Sequence, residues 1–190
     1  MKICFATHNA HKLVEIRQIL GSEFEIVGLD DLGCTEEIPE TGSTLEENSL
    51  IKAKHVFDNY DVNCFADDSG LEVEALNGAP GVYSARYAGE PSDSTKNNVL
   101  LLKNLESHSN RKAQFRTVIT LLQNGKVNQF EGVVSGQITE NNKGFKGFGY
   151  DPIFIPDGHH ITFAEMSPEE KNSISHRGKA MAKLVSFFKP

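Results

Sequence analysis

Two adjacent acids, Asp67 and Asp68, lie in a stretch whose residue types suit hydrolytic chemistry. A run of strand-forming residues, 62–66, precedes them, and Ser69 and Gly70 follow. We therefore predict that a strand ends at the acids and that a glycine turn exposes them. Neighbouring carboxylates repel each other when partly buried, unless a cation or a shared proton relieves the repulsion. The pair is thus a candidate divalent-metal or general-base site, and a solvated polar turn is the alternative.

A second polar turn, residues 7–12, lies between a short apolar run and a helical pattern of apolar residues. Thr7 or Asn9 can cap this helix, whose free N–H groups and positive dipole end then suit a phosphate. Lys12 adds a positive charge in the first turn, while Glu15 is predicted on the polar side. The spacing differs from a Walker loop, and an ordinary capped helix is the alternative.

A third stretch, residues 144–152, alternates glycines with aromatic residues. An open backbone with available rings suits a flat heterocycle that rests on an aromatic face, and a purely structural glycine loop is the alternative. Further on, Lys171, His176 and Arg177 form a basic group near the predicted starts of two helices.

The elements that must position these residues are predicted from periodicity and turn chemistry. Their order is strand, helix, helix, strand, strand, helix, long hairpin, strand, helix, helix, and the hairpin turns at Asn124-Gly125. The second helix is predicted to begin at overlapping capping boxes after an acidic loop, and its first turn is polar enough to border a site. Helices interleaved with a hairpin indicate a mixed sheet, in an α/β or α+β fold of two lobes.

Composition narrows the class of protein. The 190 residues suit one domain or two joined lobes, and a net charge of -7 argues against a non-specific nucleic-acid or anionic-membrane surface. Three cysteines without CxxC spacing predict buried thiols in a reducing cytoplasm. No apolar run is long enough for a signal peptide or a membrane span, so a cytoplasmic location is predicted. Tandem His159-His160 is predicted to be solvated rather than to bind metal.

Taken together, the chain resembles the inosine triphosphate pyrophosphatase family, also called the Ham1 or RdgB family of noncanonical purine nucleoside triphosphate pyrophosphatases. The similarity extends from residue 3 to the last helix, with its motifs in family order and spacing. They are Thr7-His8-Asn9-Ala10-His11-Lys12, Glu40-Thr41-Gly42 with Glu47-Asn48 and Lys52, Ala66-Asp67-Asp68-Ser69-Gly70-Leu71, residues 78–87, Gly147-Phe148-Gly149-Tyr150-Asp151-Pro152, Glu170-Lys171-Asn172 and Ser175-His176-Arg177.

The resemblance implies a single domain, residues 1–190, of two lobes with a central cleft and an elongated mixed sheet flanked by helices. It also implies Mg²⁺-dependent hydrolysis of ITP, dITP and XTP to the monophosphate and pyrophosphate, in a homodimer. From composition, no nucleic-acid or membrane partner is expected. Asp68 would be the general base and, with Glu40, a metal ligand; Glu47 is a possible further acid near the metal. The implied substrate contacts are Thr7, His8, Asn9, Ala10, His11, Lys12 and Lys52 around the phosphates, and Phe148, Gly149, Tyr150, Asp151, Lys171, His176 and Arg177 around the base. Ser69 is a further implied substrate contact.

One departure concerns the phosphate turn, where many members have glycines at the positions of His8 and His11. A side chain there crowds the backbone approach to a phosphate, so the phosphate pose is the affected detail. Two other hypotheses remain open at this point. One is a Maf-type pyrophosphatase acting on pyrimidine or modified nucleotides, and the other is a nucleotide-binding protein without activity.

Overall fold

The structure, a computed structural model, describes residues 2–20 and 24–189. Short 3-10 turns connect several of its longer elements. In chain order the helices and strands are β1 (Lys2–Phe5), α1 (Ala10–Leu20), β2 (Glu25–Val27), α2 (Leu45–Tyr60), β3 (Cys64–Val73), α3 (Ser94–Asn104), β4 (Lys112–Gln123), β5 (Lys126–Ile138), β6 (Phe154–Pro156), α4 (Pro168–Ile174) and α5 (His176–Phe188).

Six strands form one sheet in the order β2-β1-β3-β4-β5-β6. Strand β1 pairs in parallel with β2 and β3, whereas β5 and β6 are antiparallel. The predicted mixed sheet is therefore confirmed. The predicted hairpin turn is also confirmed, because Asn124 and Gly125 both have positive φ, 50° and 73°, as a two-residue turn between twisted strands requires.

The prediction that a strand ends at Asp67 and Asp68 is wrong. Strand β3 continues through both acids to Val73, and the strand predicted after them is its second half. Gly70 is required here by close packing rather than by a turn, since a Cβ on it would lie 2.6 Å from the carbonyl oxygen of Gly81. The short strand β2 was not predicted, because three residues are too few to show a periodicity.

The chain divides into two compact units. The first contains the residues up to Asp68, Thr117–Gly132, and those from Arg177 onward. Helices α1 and α5 pack on one face of its strands, where Phe65 stacks on Phe5. Helix α2 packs on the other face, against the cysteine and alanine side chains of β1 and β3. This unit is therefore a layered α/β structure in which successive residues of β3 contact different helices.

The second unit contains Ser69–Arg116 and Val133–His176. Its core includes the second half of β3, apolar residues of α3 and a group of aromatic rings. Phe115 lies at the centre of that group and contacts the rings of Phe154 and Phe163. Within the ranges that the structure describes, no helix combines the length and apolar character that crossing a membrane requires.

Candidate active site

The polar turn before α1 is organised by its own side chains. Asn9 accepts hydrogen bonds at Oδ1 from the N–H groups of His11 and Lys12, 3.0 and 3.2 Å away. Thr7 in turn accepts one from the N–H of Asn9, at 3.1 Å. The predicted cap is thus confirmed, with Asn9 in that position. Ala10 and His11 are exposed beside it.

His8 is held by a neighbouring loop instead of pointing freely into solvent. Its Nε2 atom lies 2.9 Å from the carbonyl oxygen of Glu36, and its Nδ1 atom lies 3.4 Å from a carboxylate oxygen of Asp30. The side chain that replaces a glycine therefore points toward the loop around Glu36, and this contact connects that loop to the phosphate turn.

Asp67 lies in a largely buried cluster of charges on the α1 and α5 side of β3, and its own side chain has no exposed surface. Lys12 donates to it at 2.8 Å, and Arg177 donates from Nε at 3.3 Å. Arg177 also pairs with Glu15 of α1, and its side chain is only 2% exposed. Burial opposes ionisation of Asp67, but Lys12 and Arg177 outweigh it and hold the pKa of the carboxyl below its usual range.

Asp68 points to the α2 side of β3 and has different partners. Asn48 donates to it at 3.0 Å, and the Lys52 ammonium lies 3.8 Å from its other oxygen. The same ammonium lies 2.5 Å from Glu40. Burial raises the pKa of Asp68, Lys52 partly offsets that increase, and Glu40 adds to it. Asp68 is therefore the better proton acceptor of the two acids.

Asn48 fixes the geometry around Asp68, whereas its neighbour Glu47 has a separate role. Asn48 accepts a hydrogen bond from the N–H of Gly42, at 2.8 Å, while its amide group donates to Asp68. The carboxylate of Glu47 accepts from the N–H and hydroxyl groups of Ser43, which is a helix-capping role. Glu47 therefore already has local donors, unlike a carboxylate directed at a metal.

The pair Glu40 and Asp68 fits the donor set of a divalent cation. Both carboxylates approach one positive charge, the ammonium of Lys52. Carboxylate oxygens are the protein ligands that Mg²⁺ prefers, usually one or two of them with water and substrate phosphate completing the shell. The residues present therefore fit Mg²⁺ at this corner.

The second unit contains the predicted loop of glycines and rings. Lys171 of α4 lies 2.8 Å from Asp151 and 4.9 Å from the centre of the Phe148 ring. Asp151 also accepts from the N–H of Phe148, at 2.8 Å, which fixes the ring relative to the ammonium. Gly147 has a φ of 72°, and a Cβ there would overlap the Asp151 carboxylate. The loop is thus built around one buried ion pair.

The remaining predicted residues have varied surroundings. The ring of His176 is stacked on Phe115, with 4.7 Å between centroids, and it is buried. The Tyr150 hydroxyl donates to the carbonyl of Ser84 at 2.7 Å, and Asn98 holds the carbonyl of Gly149 at 3.1 Å. Ser69 follows Asp68 in β3 and is half-buried. The predicted basic group divides between units, since Arg177 belongs to the first, whereas Lys171 and His176 belong to the second.

Sequence reasoning missed two residues of this network. Asn48 was placed near a site but given no role, and Glu15 was predicted on a polar surface although it pairs with buried Arg177. The signal for Asn48 was available, because it precedes Lys52 by four residues and so shares its helix face. Nothing in the spacing around Glu15 indicated a partner 162 positions away.

Comparisons with known proteins agree with one another. A model of the Ham1 family matches residues 3–187. A protein of Flavobacterium psychrophilum named dITP/XTP pyrophosphatase is 51% identical over 189 residues, 100% of each chain. One of Porphyromonas gingivalis with the same name is 56% identical over 187 residues, covering 98% of this chain and 96% of that one.

Solved structures show the same fold. The Staphylococcus aureus Ham1 protein superposes with a TM-score of 0.90 at 39% identity, covering 100% of this chain and 98% of that one. A Mycobacterium abscessus protein described as a nucleoside-triphosphatase or dITP/XTP pyrophosphatase has a TM-score of 0.79 at 45% identity, with 97% and 99% covered.

Proposed function

The chain belongs to the Ham1 family, and we propose that it hydrolyses dITP, XTP and ITP to the nucleoside monophosphate and pyrophosphate. The observation that carries the proposal is the unequal environment of two adjacent acids. Asp67 is held ionised between two buried cations, whereas Asp68 has a raised pKa beside a lysine and an asparagine. The raised pKa of Asp68 comes from burial, with Glu40 adding to it, while Lys52 and Asn48 oppose it. One acid thus organises positive charge, and the other is suited to accept a proton.

The reaction is an attack of water on the α-phosphorus. The water oxygen forms the new P–O bond, the bond from that phosphorus to the bridging oxygen breaks, and pyrophosphate leaves. Asp68 accepts the proton that the water loses, while the amide of Asn48 keeps the carboxylate oriented. The balanced outcome is one monophosphate, one pyrophosphate and the released protons.

Lys12 and Lys52 stabilise the charge that grows on the leaving pyrophosphate. Both ammonium groups are largely buried, and each already pairs with a carboxylate, so their positions are set before substrate binds. Preorganised cations need little rearrangement during the reaction, which makes them more effective than mobile surface lysines. The turn at Thr7 and Asn9 is the proposed neighbour of the same phosphates.

Glu40 and Asp68 are the residues that would hold Mg²⁺. When bound, the ion supplies charge neutralisation on the phosphate oxygens and Lewis-acid polarisation of the reacting phosphorus. Lys52 lies close to both carboxylates, and it would share their charge with the ion.

The loop around Phe148 is the proposed site for the base. A purine that rests on the Phe148 ring lies within reach of the Lys171 ammonium, 4.9 Å from the ring centre. Hypoxanthine and xanthine present a 6-oxo acceptor to such a donor, whereas adenine presents an amino group that would face another donor. The predicted base contacts of His176 and Arg177 stay predictions.

The oligomeric state and the cellular location belong to the same proposal. A homodimer is proposed from the family resemblance alone. A cytoplasmic location is proposed because the nucleotide pool is the substrate source, and because Cys4, Cys34 and Cys64 are all free thiols, as a reducing compartment favours.

A product assay across a nucleotide panel tests the function. With Mg²⁺, we expect dITP, ITP and XTP to yield monophosphate and pyrophosphate about 100-fold or more faster than ATP or dTTP, because the wrong base leaves a donor unpaired. Release of orthophosphate would overturn the reaction, and a preference for dTTP would overturn the base assignment.

A variant pair tests the general base. Asp68→Asn should lower kcat about 10²-fold to 10⁴-fold, the usual contribution of general base catalysis. Asp58→Asn, on the exposed side of α2, should keep wild-type activity. Near-normal turnover by the Asp68 variant would remove that residue as the base.

A further inference from the structure

Cys34, Glu36 and His55 lie together in the first unit, at the edge of α2. The Cys34 sulphur, a Glu36 carboxylate oxygen and a ring nitrogen of His55 all lie within 4.8 Å of one another. His55 Nε2 and Glu36 Oε1 are 3.0 Å apart. Neither the phosphate chemistry nor the base loop uses any of these side chains.

We propose that Cys34, Glu36 and His55 bind a zinc ion, at a site separate from the Mg²⁺ ligands Glu40 and Asp68. Thiolate, imidazole and carboxylate are the three zinc ligands that proteins use, with tetrahedral bond lengths of about 2.0–2.3 Å. Such bonds place nitrogen and oxygen ligands roughly 3.3 Å apart, close to the 3.0 Å between His55 and Glu36. Water completes the fourth position.

The surroundings of the three ligands also suit zinc. Cys34 is buried, and its N–H donates to the carbonyl of Leu29 at 3.0 Å, so its position is fixed by the backbone. The Glu36 side chain is 65% exposed, which provides an entry path from solvent.

The loop of residues 34–40 is already attached to α2 by the pair of Glu40 and Lys52, and a zinc ion would attach it at a second point. Four residues after Glu36, Glu40 already pairs with Lys52 on the same helix. The carbonyl of Glu36 also lies 2.9 Å from Nε2 of His8 in the phosphate turn. The ion would therefore fix residues 34–40, the loop that contacts His8 through Glu36 and ends at Glu40.

Zinc binding to the full-length, metal-free protein tests the proposal without reference to turnover. In a competition titration with a chelating indicator, the wild type should bind one zinc per chain. Cys34→Ser and His55→Gln should each weaken zinc binding by more than ~10-fold to 100-fold. That smaller loss is typical of removing a residue that only hydrogen-bonds to a metal ligand.

Matched controls separate loss of a ligand from loss of structure. The Cys64 thiol donates to the carbonyl of Ala53 at 3.1 Å, so Cys64→Ser keeps that bond and should keep zinc affinity. Exposed His160→Gln should also bind as the wild type does. Glu36→Gln changes an exposed side chain, leaves the fold intact, and should still weaken binding at least tenfold.

Cobalt supplies a spectroscopic readout. Substitution with Co²⁺ should give a thiolate-to-metal charge-transfer band in the wild type and in Cys64→Ser, and none in Cys34→Ser. Excess Mg²⁺ should not displace the bound zinc, because Mg²⁺ avoids sulphur and nitrogen ligands. Absence of zinc binding, full affinity in Glu36→Gln, or displacement by Mg²⁺ would each overturn the proposal.

Discussion

Asp67 and Asp68 are neighbours in β3, yet their carboxylates have separate partners because successive side chains of a strand point to opposite faces. Asp67, whose side chain has no exposed surface, neutralises Lys12 and Arg177. Asp68 lies near Lys52, and the carboxylate of Glu40 pairs with the same ammonium group. The first arrangement favours a charged acid for structural reasons, and the second leaves an acid available for proton transfer.

The same substitution at the two positions should have opposite effects on stability. Asp67→Asn leaves two buried cations without their shared counter-charge and should lower the free energy of unfolding by about 3–5 kcal/mol. Asp68→Asn removes a buried charge and can keep the hydrogen bond from Asn48, so its free energy of unfolding should equal or exceed that of the wild type. Urea denaturation at neutral pH measures both, and equal losses would contradict the division of roles.

The dependence on pH has a definite sign. The pKa of Asp67 is lower in the folded state than the ordinary value of about 3.9, so its contribution to stability is complete above that value and disappears as pH falls toward the folded pKa. The difference between wild type and Asp67→Asn should therefore shrink below about pH 4. A difference that stays constant down to acid pH would show that packing, not charge, is lost.

Helix starts and loops determine where the reactive side chains lie. Asn9 caps α1 beside Lys12, Thr44 caps α2 one turn before Asn48, and Ser167 forms a capping box before Lys171. Each cap fixes the first turn of a helix. Helices α1 and α4 carry Lys12 and Lys171 in that turn, and α2 carries Lys52 one turn after Asn48. The base loop depends in the same way on Gly147, whose missing side chain makes room for Asp151.

Gly147→Ala should disrupt the base loop. An alanine Cβ would overlap Asp151, which holds Phe148 and Lys171, and the residue would also have an unfavourable positive φ. We expect a loss of stability beyond the ~1–2 kcal/mol of backbone strain, with a raised KM for dITP. Gly158→Ala is the matched control, since its φ of 81° imposes the strain but no atom lies within 4 Å of the added Cβ. Equal effects of the two changes would exclude a role for the Asp151 contact.

At the scale of the whole molecule, the candidate residues come from both compact units. The boundary between the units falls within β3, after Asp68. The first unit contains the lysines suited to phosphates and the carboxylates suited to a metal ion. The second unit contains the aromatic loop. In the proposed function, the first set acts on the phosphates and the second on the base.

Variants in the two units should therefore affect different parts of one substrate. Phe148→Ala should raise KM for dITP about 5-fold to 150-fold, matching the ~1–3 kcal/mol of stacking on one ring, and leave inhibition by pyrophosphate unchanged. Lys12→Gln should weaken both the binding of dITP and the inhibition by pyrophosphate. Controls are Phe145→Ala, a ring in the same loop that is 92% exposed, and exposed Lys54→Gln. An unchanged KM in Phe148→Ala would separate the loop from the substrate.

Much of the fold and of the residue set follows from local patterns. The cap at Asn9 and the hairpin at Asn124-Gly125 were predicted correctly, because each depends on residues a few positions apart. The mixed sheet was predicted correctly from the order of such local elements. The motifs, in the order and spacing of the family, were enough to indicate the family, because a motif is defined by residue types and their spacing along the chain.

The family resemblance already assigned the base role to Asp68, but only the tertiary structure showed how the surroundings of the two acids differ. The partners of Asp67 and Asp68 come from α1, α2 and α5, and the Glu15 to Arg177 pair joins residues 162 positions apart. Spacing along the chain does not encode such contacts, which arise when separate helices pack on opposite faces of one strand. The continuation of β3 through the acids has the same cause, because buried partners on both faces stabilise a charged pair that the sequence alone favoured as an exposed turn.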